Sequence, residues 1–173
     1  MAFSRQDTEC MALALKISKK GRATVGANPM VGCVIVLNGK IVAQDYHRQY
    51  GKAHAEVNAL DQIKHQAKSA KLYVTLEPCS HQGKTPPCTK ALIDAGVKKV
   101  VVAMPDPNPM VSGRGIKLLK DAGIEVDIGL LQSQAREVNR GFVKRMELEL
   151  RDSGPPLQGF YFFWHSRLLM FLF

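Results

Sequence analysis

Four side chains have the types and spacing for metal-assisted hydrolysis. His54 and Glu56 flank Ala55, and Cys79 closes the run Glu77-Pro78-Cys79, with eight residues between it and Cys88. One imidazole and two thiolates suit Zn2+, which takes nitrogen and sulfur ligands. A structural zinc site closes with four protein ligands, whereas three leave a position for water, the arrangement of a catalytic ion. Glu56 would then take a proton from water and return it to a substrate. Taken singly, His54 reads as a satisfied core histidine and each cysteine as an inert thiol. Each, however, falls at a strand end or a helix start, where α/β sites form.

The elements that must position them can be read from periodicity and punctuation. Ser4 with Asp7 marks an N-cap before an amphipathic helix carrying Met11, Leu13, Leu15 and Ile17, stopped near Gly21. Residues 22–29 read as loop. The apolar run 31–36 predicts a buried strand, Asn38-Gly39 a hairpin turn, and Lys40–Ala43 the return strand. A helix is expected from His54 to Ile63 and a strand over 71–76. Pro86-Pro87 opens a helix ending at Gly96, with Cys88 in its first turn, where the helix dipole favours a thiolate. A strand over 99–103, a helix over 115–122, a strand over 124–128 and one final helix from Ser133 to Leu150 complete the pattern. Strands reached through helices should be parallel, so an α/β fold with a mixed five-stranded sheet between helical layers is expected. On an ideal helix, residues two apart point roughly 200° away from each other. His54 and Glu56 can therefore serve one ion only from the very start of their helix.

The chain has 173 residues, 46% of them hydrophobic, enough for one domain with a real core. The first residues are polar and no early stretch is long enough to span a membrane, so a cytoplasmic protein is expected. In a reducing compartment the four cysteines are not expected to form disulfides, and Cys10 and Cys33 read as small buried apolar residues. The net charge of +9 is spread over scattered lysines and arginines, with no basic stripe interleaved with aromatics. That pattern argues against nucleic acid and for a solvated surface with some pull on phosphates. Residues 1–150 read as the zinc-dependent domain. Residues 151–173, crowded with Phe160, Tyr161, Phe162, Phe163, Trp164, Phe171 and Phe173, read as an atypical aromatic-rich tail, a truncated or altered carboxy-terminus.

The constellation matches the signature of zinc nucleobase deaminases, in which activated water displaces an amino group from a ring carbon. More specifically, Asn28–Val36, His54-Ala55-Glu56, Val74–Cys88 with Thr85-Pro86-Pro87, Asp106-Pro107-Asn108-Pro109 and Asn139–Met146 resemble the deaminase domain of the bifunctional riboflavin biosynthesis proteins of the RibD family. Most cytidine and tRNA deaminases have two residues between the cysteines rather than eight. The resemblance implies a cytidine-deaminase-like fold, a homo-oligomer and a phosphorylated pyrimidine as substrate, diaminohydroxyphosphoribosylaminopyrimidine. It further implies that Asn28 reads the pyrimidine, His47 sits near the site entrance, Lys84 pairs with the phosphate, and Asp106 and Asn108 hold the ribose. On their own, Asn28, Asp106 and Asn108 also read as turn residues, and His47 and Lys84 as surface side chains. The family's reductase domain has no counterpart in these 173 residues, so no NADPH site is expected. A tRNA or nucleoside deaminase is the alternative enzyme. A non-catalytic zinc module, closed by His81 as fourth ligand, is the alternative of another class.

Overall fold

A computed structural model describes residues 3–108 and 111–152. Helix α1 (Arg5–Ser18) opens on a capping box: Ser4 Oγ accepts the Asp7 N–H at 3.1 Å, and Asp7 Oδ2 accepts the Ser4 N–H at 2.9 Å. Strands β1 (Gly32–Leu37) and β2 (Lys40–Tyr46) form the hairpin. Its turn residues Asn38 and Gly39 have φ of 50° and 74°, the left-handed pair a two-residue hairpin needs. There follow α2 (Ala55–Gln62), β3 (Lys71–Val74), α3 (Cys88–Asp94), β4 (Lys99–Val102), α4 (Arg114–Asp121), β5 (Glu125–Ile128), α5 (Gln132–Val138) and α6 (Arg140–Asp152). Among the described residues no helix is long and apolar enough to cross a membrane.

The five strands pair in the order β2-β1-β3-β4-β5, with β3, β4 and β5 parallel, so the mixed sheet is as expected. Strand β3, reached from β2 through α2, does not pair with β2. It lies across β1 and antiparallel to it, with Cys33 opposite Val74. As a result the carboxyl ends of β2, β3 and β4 and the amino end of β1 share one edge of the sheet.

Helices cover both faces. A Cβ on Gly32 would sit 2.0 Å from the Ala14 carbonyl oxygen, so α1 presses on that side of β1. The next residue, Cys33, faces the other way and feels the charge of Glu56 on α2. Because β1, β3 and β4 are buried on both faces, Cys33, Val34, Ile35, Leu72, Tyr73, Val74, Val100, Val101 and Val102 are all essentially inaccessible. This is why they read as unbroken apolar runs rather than alternating ones.

The single final helix expected over 133–150 is instead two, α5 and α6, interrupted at Asn139. Its side chain leaves the helical pattern to grip the backbone of Met30: Asn139 Oδ1 accepts the Met30 N–H at 2.8 Å, and Asn139 Nδ2 donates to Met30 O at 3.0 Å. The expected aromatic tail lies, beyond Asp152, outside the described residues.

Asp7 does more than cap α1. Its Oδ1 accepts from Tyr73 Oη at 2.6 Å and from Lys71 Nζ at 2.9 Å, tying the helix to β3. Burial pushes the carboxyl up, but the hydrogen bonds from Tyr73, Lys71 and Ser4 prevail and hold it well below the usual carboxylate range. A folded-state pKa below the unfolded value of about 3.9 means that this stabilisation is present above about pH 4 and is lost as pH falls through the folded value. Asp7→Asn should therefore cost about 1–3 kcal/mol near pH 7, measured by urea unfolding. Its gap to the parent should narrow as the pH is taken below about 4.

Candidate metal centre and active site

The shared sheet edge gathers the predicted residues. His54 is the N-cap of α2, with extended backbone at φ −76° and ψ 170°, so it stands outside the helical spiral while Glu56 occupies the second helical position. That resolves the opposed directions an ideal helix would impose. Cys79 lies on the loop after β3, and Cys88 is the first residue of α3, held there by Pro87 as N-cap. The Cys88 N–H donates to Cys79 Sγ at 3.3 Å, and His54 Nδ1 lies 3.2 Å from Cys88 Sγ and 3.6 Å from Cys79 Sγ. The three donor atoms all lie within 4.8 Å of one another.

These groups answer to one another electrostatically. A hydrogen bond with the Cys88 thiol, aided by the His54 ring and the Cys88 N–H, outweighs burial and brings Cys79 down to about 4. The same hydrogen bond, with burial, drives Cys88 well above the ordinary thiol range. His54 is raised by its contact with the Cys79 sulfur. A divalent cation held by both sulfurs would bring both to the thiolate state. Glu56 is fully enclosed, and burial pushes its carboxyl up to about 7. Its Oε2 is a buried oxygen without a hydrogen-bond partner among the described residues. A three-donor N/S/S set beside an unsatisfied carboxyl oxygen fits zinc with one position left to solvent and substrate. His81 lines the same cavity but is not part of the donor cluster, so the four-ligand arrangement expected of a purely structural module is not formed among the described residues.

The cavity has a volume of about 400 Å3. Asn28, His47, Lys84, Asp106 and Asn108 all line it, as do His54, Glu56 and Cys79, so the structure brings every sequence-predicted site residue except the buried Cys88 to its wall. His47, expected near the site entrance or on the surface, is instead buried and sits edge-on to His54 with ring centroids 5.2 Å apart. Its Nδ1 is 3.2 Å from Ala53 O, and its buried Nε2 has no hydrogen-bond partner among the described residues. Burial lowers its pKa, favouring the neutral ring. Lys84 Nζ lies 4.4 Å from the centroid of the Tyr50 ring at the cavity mouth. Asp106 is raised by burial, and its Oδ1 accepts the Asn108 N–H at 2.8 Å, an Asx turn.

Four residues carry more of the site than their sequence context announced. Asn139 fixes Met30, two residues after Asn28, while Phe142 and Met146 of α6 form part of the cavity wall. Glu77, buried immediately before Pro78-Cys79, also reaches the wall. A carboxylate closing an apolar strand run was the one available signal for it, since a buried charge demands partners.

The model of the cytidine and deoxycytidylate deaminase zinc-binding region matches residues 4–104. The riboflavin biosynthesis protein RibD of Escherichia coli is 56% identical over 141 residues, 82% of this chain and 38% of that protein. The diaminohydroxyphosphoribosylamino-pyrimidine deaminase of Buchnera aphidicola from Schizaphis graminum is 49% identical over 145 residues, 84% of this chain and 99% of its own length. Among solved structures, Acinetobacter baumannii RibD superposes with a TM-score of 0.80 at 51% identity, covering 82% of this chain and 40% of that one. The chain thus spans less than half the length of the RibD proteins it matches.

Purified chain should carry about one zinc ion, and Cys88→Ala should reduce that to a small fraction without abolishing the fold, read by elemental analysis beside circular dichroism.

Proposed function

Because this chain belongs to the cytidine and deoxycytidylate deaminase zinc-binding family, we propose that it hydrolytically deaminates diaminohydroxyphosphoribosylaminopyrimidine to the aminouracil ribosyl phosphate, releasing ammonia, in riboflavin biosynthesis. The observation that carries the reading is a buried carboxyl with a free oxygen beside an N/S/S donor cluster, at the floor of a cavity rimmed by a lysine and polar turn residues. Support for the substrate comes from the near-complete coverage of the Buchnera deaminase at 49% identity.

In this reading His54 Nδ1, Cys79 Sγ and Cys88 Sγ hold the ion. Bound zinc supplies a Lewis acid that makes water nucleophilic near neutral pH. Glu56 moves the protons. It takes one from the attacking water and delivers it to the ring nitrogen next to the carbon bearing the amino group. It then passes the remaining hydroxyl proton to the departing amine. The carbon–nitrogen bond breaks, ammonia leaves and a carbonyl remains. A carboxyl poised near 7 is suited to both directions of transfer. Asn28 and the neutral His47 ring face the pyrimidine end of the cavity, Asp106 and Asn108 take the ribose hydroxyls, and Lys84 at the mouth takes the phosphate. The enclosing walls keep bulk water from the reacting carbon.

A cytoplasmic location belongs to the same proposal, supported by four free cysteines. So does self-association, supported by Ile93 and Leu118 on the neighbouring helices α3 and α4, both apolar and exposed.

Zinc-loaded chain given the diamino pyrimidine ribosyl phosphate should release one ammonia per turnover, and absence of turnover would defeat the assignment. Glu56→Gln should keep its zinc and lose activity about a thousandfold, measured as kcat. Near-parental turnover by that variant would remove Glu56 from the proton path.

A further inference from the structure

Glu77 sits where three parts of the site meet. It directly precedes Pro78-Cys79, its own N–H donates to Met104 O at 3.0 Å just beyond β4, and it is 5% exposed. Its carboxylate is filled by backbone donors. Oε2 accepts the N–H of Asp106 at 3.1 Å and of Gly113 at 3.0 Å. Oε1 accepts the N–H of Gly115 at 3.0 Å and of Ile116 at 3.3 Å.

Those four bonds account for the lone pairs a carboxylate offers, so no acceptor capacity remains for a ligand. Glu77 therefore works through the backbone it holds. Gly113, the N-cap of α4, has no side chain to cap with. Glu77 supplies that cap from another segment of the chain, placing a negative charge at the helix N-terminus. The approach is close: a Cβ on Gly115 would lie 2.0 Å from Pro78 O. The same carboxylate also fixes the first residue of the Asp106–Asn108 turn, whose side chains line the same cavity as His54 and Cys79.

We propose that Glu77 is a positioning residue for substrate binding, locking the Asp106–Asn108 turn and the start of α4 to the segment that carries Cys79. This rests on the ribosyl-phosphate reading above, in which that turn grips the sugar. Glu77→Gln puts an amide donor against two backbone N–H groups and leaves one oxygen to serve the rest, so the turn loses its fixed distance from the metal donors. The binding of a remote sugar should suffer more than the chemical step.

The test compares zinc-loaded parent and Glu77→Gln in two measurements. Amide hydrogen exchange, followed residue by residue, should accelerate at least about tenfold at Asp106, Gly113, Gly115 and Ile116 and stay unchanged in β1 and β3. Steady-state kinetics should show KM for the ribosyl phosphate raised about tenfold with kcat altered less than about threefold, at full zinc content. Adding Glu77→Gln to Asp106→Ala should raise KM by less than the product of the two single effects, because the second change acts through the first residue's turn. Should Glu77→Gln fail to fold, Glu77→Asp keeps both oxygens but withdraws them by one methylene, and the same signature is expected at smaller amplitude. Unchanged exchange at the four amides, or faster exchange with an unchanged KM, would overturn the proposal. A parent chain without turnover would instead defeat the substrate reading, while the exchange measurement still decides whether Glu77 holds the turn.

Discussion

A protein interior tolerates a histidine, two cysteine sulfurs and a carboxyl in mutual contact only if protons or a cation balance them. The demands of these groups pull in different directions. Cys79 is drawn down while Cys88 is driven up, His54 is raised, and Glu56 is pushed to about 7 with one oxygen unpaired among the described residues. A single divalent ion among the three donors settles these demands together, because it takes both sulfurs as thiolates and the histidine as a neutral ligand. The rest of the chain can be understood as what holds those donors close enough to share an ion.

The hold comes from topology more than from local contacts. Because β3 crosses to the far side of β1 and runs antiparallel to it, the loops before β1 and after β2, β3 and β4 all open at one edge. Asn28, His47, Cys79 and Asp106 each belong to a different one of those loops. The N-terminal ends of α2 and α3 bring His54, Glu56 and Cys88 to the same edge. Asn139 and Glu77 then fasten the loops by hydrogen bonding to backbone, at Met30 and at Asp106, Gly113, Gly115 and Ile116. The floor of the site is thereby set by helix and strand ends and its rim by loops that the buried Asn139 and Glu77 hold in place.

The sequence made much of this legible for definite reasons. The Ser4–Asp7 box, the Asn38-Gly39 turn and the doubly buried runs of β1, β3 and β4 are short-range signals, each with its own steric or hydrogen-bonding cause, and the elements stand where those signals put them. The candidate donor cluster was legible because histidine and cysteine at strand and helix ends form few other patterns. What stayed hidden is long-range. Nothing local says that β3 passes over β1 rather than pairing with β2. Nothing within 133–150 says that Asn139 breaks the helix, since its partner Met30 is 109 positions away. The role of Glu77 likewise depends on amides 29 to 39 positions downstream.

Zinc-edge X-ray absorption on the zinc-loaded chain tests the central claim most directly, because it counts the atoms around the ion. Two sulfurs at about 2.3 Å, one imidazole nitrogen at about 2.0–2.1 Å and one further light atom contributed by solvent are expected. A shell with a second imidazole in place of that solvent atom, or with only one sulfur, would contradict an ion held by His54, Cys79 and Cys88 with one face open to chemistry.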